Sequence, residues 1–132
     1  MKAVSAVRRS HPSSRRRVSG HFANELEREF AQLLDLYGVS WEYEPHEFVL
    51  ERDELGRVTS SFRPDFFVES LDLYVEITAM RQTLVTRKNG KIRRCRDLYP
   101  DLNLEVLYRR DLVDFFSRHG LVLPDAQPRG TA

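Results

Sequence analysis

Three acidic residues, Glu27, Asp65 and Glu76, carry the chemistry that this sequence offers. Residues 73–78 read Leu-Tyr-Val-Glu-Ile-Thr. Strand alternation sends Leu73, Val75 and Ile77 to one face and Tyr74, Glu76 and Thr78 to the other. A carboxylate in so apolar a strand is costly unless something pairs with it. Arg63-Pro64-Asp65 sets a second carboxylate at the start of the preceding strand, and a hairpin across Ser70-Leu71-Asp72 brings it towards Glu76. Two carboxylates with oxygens to spare suit a hard divalent cation such as Mg²⁺, with Mn²⁺ able to substitute. Glu27 is the third acid. On a helical wheel it lies between Ala23, Phe30 and Leu34 at the edge of an apolar stripe, whereas Glu25 points away and Glu29 lies at the other margin.

The elements that must position these groups follow from periodicity. Ala23, Leu26, Phe30, Leu33, Leu34 and Tyr37 predict a helix over 20–37, with Gly38 as its stop. Trp41 to Glu44 and His46 to Glu51 are expected to form one continuing strand region. Arg57 to Phe62 returns after the turn-like Asp53-Glu54-Leu55-Gly56. Phe66 to Glu69 and Leu73 to Thr78 form the hairpin. A helix over 83–98 ends before Pro100 and carries Val85, Lys88, Ile92, Cys95 and Tyr99 on one stripe. Leu104 to Tyr108 is a strand, and Asp111 caps a last helix that Gly120 ends. The expected fold is α/β, a mixed central sheet flanked by helices.

At 132 residues the chain supports one domain, assigned to 20–120, between a disordered basic arm at 1–19 and a flexible tail at 121–132. No apolar run approaches the roughly 18 residues of a membrane span. The N-terminus lacks the apolar stretch of a secretory signal, so a cytoplasmic location is expected. The single cysteine, Cys95, excludes an intrachain disulfide and a cysteine-based zinc cluster, and its place on the stripe reads as core. The four histidines are scattered without metal-ligand spacing. Net charge is only +1, but Arg81, Arg87, Lys88, Lys91, Arg93, Arg94 and Arg96 crowd one short segment after Glu76. Such a surface attracts phosphates, and counterion release makes the binding salt-dependent.

The run Phe62-Arg63-Pro64-Asp65 followed by Val75-Glu76-Ile77-Thr78 resembles the signature of the PD-(D/E)xK nuclease superfamily, over a span of about Gly20 to Ser117. The stretch from Ile77 to Lys91 is similar to small bacterial members of that group. The resemblance implies a restriction-endonuclease-like αβββαβ core and a Mg²⁺-dependent endonuclease. It implies Asp65, Glu76 and the Ile77 carbonyl as metal ligands, with Glu27 from the helix before the motif. DNA is the expected substrate, with RNA second, and the setting would be repair, recombination or mobile-element processing. Many small nucleases with one site per chain dimerise to cut both strands, so the resemblance also raises the expectation of a homodimer. One departure stands out: the motif lysine falls on Thr78, which cannot carry a cation. Lys88 from the following helix is the first candidate to replace it, Lys91 the second, and Gln82 a residue that could position water. Without a replacement, the same fold would be an inactive nucleic-acid-binding module.

Overall fold

Helix α1 (Glu25–Leu36) begins where the Asn24 side chain accepts the Glu27 backbone N–H at 2.9 Å. This cap places the start later than the expected residue 20, because Asn24 itself is extended. The strands are β1 (Ala6–Arg8), β2 (Trp41–Tyr43), β3 (His46–Arg52), β4 (Val58–Phe62), β5 (Phe66–Val68), β6 (Leu73–Ile77) and β7 (Leu104–Leu107). Helices α2 (Gln82–Leu98) and α3 (Leu112–Arg118) are the other helices of more than one turn among the described residues. This computed structural model describes residues 6–8, 22–79 and 82–124, with the backbone alone at 6–8 and 82–85.

The strands divide between two sheets. One is ordered β2-β5-β6-β7, antiparallel except for the parallel β6-β7 pair, and the other is β1-β3-β4. The expectation of a single sheet with one continuing strand across 41–51 is therefore corrected. Glu44 takes a positive φ of 48° and Pro45 has no N–H to donate, so the chain turns out of one sheet and into the other. The assignment of 1–19 as a disordered arm is corrected for Ala6–Arg8, which pair antiparallel with His46–Phe48. The rest of that arm, and the tail from 125, lie outside the described residues. Leu121, placed in the tail, packs against the core and donates its N–H to the Phe116 carbonyl.

Helices α1 and α3 cover one face of the four-stranded sheet. Phe30 meets Phe66, Phe115 and Phe116 at ring-centroid distances of 5.2, 5.3 and 5.8 Å. On the other face a second cluster joins Phe48, Leu50 and Phe62 of the three-stranded sheet to Ile92 and Cys95 of α2 and Leu104 of β7. The Cys95 thiol is buried there, and desolvation pushes its pKa up to about 11, which keeps it a core group and not a nucleophile. Asp111 accepts the Tyr108 N–H at 2.8 Å, so it closes the turn before α3 and makes no side-chain cap on that helix. No helix among the described residues is long and apolar enough to cross a membrane.

Candidate active site

The β5-β6 hairpin builds the site. Its register pairs Phe66 with Val75, Phe67 with Tyr74 and Val68 with Leu73, across a 3₁₀ turn at Glu69–Leu71 and a left-handed Asp72. One step beyond Phe66 and Val75, Asp65 and Glu76 lock each other in place. Glu76 Oε1 accepts the Asp65 N–H at 3.1 Å, and Asp65 Oδ2 accepts the Ile77 N–H at 2.8 Å. The Asp65 carbonyl in turn accepts the Glu44 N–H at 2.8 Å, which ties the end of β2 to the same point. β6 lies between β5 and β7, so Glu76 stands on an interior strand.

Among the described residues four polar or charged side chains are buried: Glu27, Asp65, Glu76 and Thr78. All four are residues that the sequence singles out. Burial of several carboxylates together demands compensation, and Lys88 supplies part of it. Its Nζ lies 2.7 Å from Glu76 Oε2 and donates to the Ile77 carbonyl at 2.9 Å. The helix-borne lysine thus stands at the carboxylates, as its place on the α2 stripe suggests. Lys91 does not; its Nζ donates to the Ser61 carbonyl at 3.0 Å. Arg81 and the side chain of Gln82 lie outside the described residues.

One ammonium does not balance the acids. Burial raises the Asp65 carboxyl well above the usual carboxylate range, and the charges of Glu76 and Glu27 push it further. Burial also raises Glu76, with Glu27 adding to the rise against the pull of Lys88. Glu27 is therefore close enough to be felt by both. Its own Oε1 is held by the Tyr43 hydroxyl at 2.6 Å and the Ala23 N–H at 2.9 Å. Burial and the neighbouring Glu27 raise the pKa of that tyrosine too, so Tyr43 is a fixed hydrogen-bond donor. Tyr43 is a residue that sequence reasoning missed, since nothing in Trp-Glu-Tyr marks one residue for a partner sixteen positions away.

The donor set can be tested against a cation. Among the described residues no group of three His, Cys, Asp or Glu side chains is placed to hold a metal ion without other donors. Mg²⁺, however, is usually held by one or two carboxylates and keeps several waters. Asp65, Glu76 and the Ile77 carbonyl fit that requirement as hard oxygen donors. The bond to the Ile77 N–H engages Asp65 through Oδ2. Thr78 adds a buried Oγ1 without a hydrogen-bond partner among the described residues, on the same strand face as Glu76. An orphaned buried hydroxyl beside charged groups is a natural anchor for an ordered water.

The basic helix spreads its charges over two flanks. Arg94 donates to the Leu50 carbonyl at 3.2 and 3.3 Å, so with Lys91 it fastens α2 to the three-stranded sheet. Arg96 donates to the Leu104 carbonyl at 2.6 Å. Arg87 and Arg93 are exposed. The chain matches no protein-family model, no curated protein and no solved structure.

Proposed function

We propose that this chain is a metal-dependent endonuclease of the PD-(D/E)xK superfamily that hydrolyses phosphodiester bonds in DNA and selects its substrate by structure. The observation that carries the reading is the position of Lys88, 2.7 Å from Glu76 Oε2 and 2.9 Å from the Ile77 carbonyl. A lysine drawn from α2 thereby takes the place left open by Thr78. The elements around the four-stranded sheet, α1, β2, β5, β6, α2 and β7, also run in the order expected of a restriction-endonuclease-like core.

In this reading Asp65, Glu76 and the Ile77 carbonyl would hold Mg²⁺ or Mn²⁺, and Glu27 would add its negative charge nearby. The bound cation would polarise the phosphate and lower the pKa of a water. Lys88 sets a positive charge beside the position where charge grows on the phosphate. Thr78 offers its hydroxyl to a water, and Arg87 and Arg93 draw the phosphate backbone in. The work would lie in repair, recombination or mobile-element processing in the cytoplasm, with a dimer wherever both strands are cut.

A second reading is a nucleic-acid-binding module on the same fold. It is favoured by the Lys88–Glu76 ion pair, which already engages the carboxylate that a cation would need. The test is cleavage of labelled DNA and RNA, in duplex, nicked, branched and single-stranded forms, with Mg²⁺ or Mn²⁺. Cleavage lost in Asp65→Ala supports the nuclease. Salt-sensitive binding of the same panel without cleavage supports the module.

A further inference from the structure

Helix α2 presents three sides. Lys88, Ile92 and Cys95 face the sheet, Lys91 and Arg94 reach the three-stranded sheet, and Asn89, Arg93 and Arg96 overhang β7. β7 is the edge strand of the four-stranded sheet. Between it and the third side of α2 lies an open cleft of about 470 Å³.

The lining is chemically divided. Ile92, Leu104 and Val106 make an apolar floor, and Ile92 and Leu104 are 3% and 8% exposed. Asn89, Arg93, Arg96 and Tyr108 add polar and aromatic groups to the lining, and the Arg110 guanidinium lies over the Tyr108 ring at 5.2 Å from its centroid. The bond from Arg96 to the Leu104 carbonyl holds its guanidinium over the cleft. Arg93 is exposed and makes no hydrogen bond or ion pair among the described residues. The one acid in the lining, Glu105, does not cancel them. Its carboxylate is engaged by Arg118 at 2.6 Å and by His119 at 2.8 Å.

The cleft adjoins the candidate active site. Val106 is the register partner of Glu76 across the parallel β6-β7 pair, and Asn89 follows Lys88 on α2. The cleft and the Glu76–Lys88 pair are thus built from neighbouring positions of the same two elements, α2 and the β6-β7 pair. Apolar floor, aromatic ring, amide and two guanidiniums together suit one kind of molecule: a flat heteroaromatic ring joined to an anionic group. Aromatic and apolar surfaces take the face of a base, guanidiniums take phosphate, and an amide takes a base edge.

We infer that this cleft binds a single unstacked nucleotide of a nucleic-acid strand, next to the phosphate presented to Asp65, Glu76 and Lys88. A base inside a duplex enters only by paying for unpairing and unstacking, so the cleft favours a substrate with a single-stranded nucleotide at the cut, as in a flap, gap or frayed end. The inference rests on the nuclease reading for the course of the strand, and its binding step is measured apart from cleavage.

The experiment is titration of the isotope-labelled full chain, in chelator, followed through the backbone amides of Asn89, Arg93, Arg96 and Tyr108. The probes are deoxyadenosine monophosphate, a single strand of four thymidines, and inorganic phosphate. Both nucleotide probes should shift these amides, and phosphate should do so far less. Arg93→Glu, at an exposed position, should weaken both nucleotides by about tenfold or more, the scale of a lost charge-assisted bond. The same charge change at Arg28→Glu, on α1, should leave their affinity unaltered. No shift at the cleft, phosphate as effective as the nucleotides, or equal losses in the two variants would overturn the inference. Nucleotide binding here in a chain that cuts nothing would sink the nuclease reading and leave the cleft standing. Cleavage without binding here would do the reverse.

Discussion

The two faces of β6 are buried alike and are used in opposite ways. Val75 and Ile77, 0% and 1% exposed, join the aromatic cluster beneath α1 and α3. Glu76 and Thr78, 5% and 2% exposed, lie on the other face among Asp65, Lys88 and the charge of Glu27. On the first face burial removes apolar surface from water and stabilises the fold. On the second it strips water from carboxylates that repel each other, and their raised pKa values record the cost. A strand that carries this charge against its own stability points to function on that face.

The comparison breaks if the polar face can be emptied without consequence. Asp65→Ala and Glu76→Ala should each lower cleavage by about 10³-fold, the scale of removing a group that acts at the reacting centre, with circular dichroism unchanged. The apolar face should answer in the opposite currency. Val75→Ala should cost about 2 kcal/mol in denaturant unfolding, from lost burial plus a cavity, while the folded fraction still cuts at the parent rate.

The smallest effect sharpens the contrast through pH. Because the folded-state pKa of Asp65 is raised, the protonated carboxyl favours the folded state. That contribution is fully present below the ordinary carboxylate value and is lost as pH rises through the raised one. In chelator, Asp65→Asn should therefore raise Tm by a few degrees at neutral pH, keep the acceptor for the Ile77 N–H, and lose its advantage in acid. A Tm below that of the parent at neutral pH would show that the carboxylate is structural.

Much of this site is legible in short stretches of sequence, because the hairpin that builds it is local. The alternation through Leu73–Thr78 and the short link to Phe66 suffice to set Asp65 beside Glu76. The helical stripe of Lys88, Ile92 and Cys95 suffices to aim the lysine at the sheet. What escapes has partners far along the chain. Tyr43 meets Glu27 only once α1 packs on β2, and the split into two sheets turns on the single positive φ at Glu44. The basic run Arg87–Arg96 looks uniform in sequence. Its division between two flanks depends on carbonyls at Leu50, Ser61 and Leu104, which no residue pattern announces.

In the proposed nuclease, Lys88 does the work of the motif lysine whose position Thr78 occupies. Single-turnover cleavage by Lys88→Ala, at saturating Mg²⁺ and on whichever substrate the panel identifies, tests it most directly. The rate should fall about 10²- to 10³-fold with substrate affinity nearly unchanged. Cleavage at the parent rate would contradict it, and would reduce Lys88 to the ion-pair partner of Glu76.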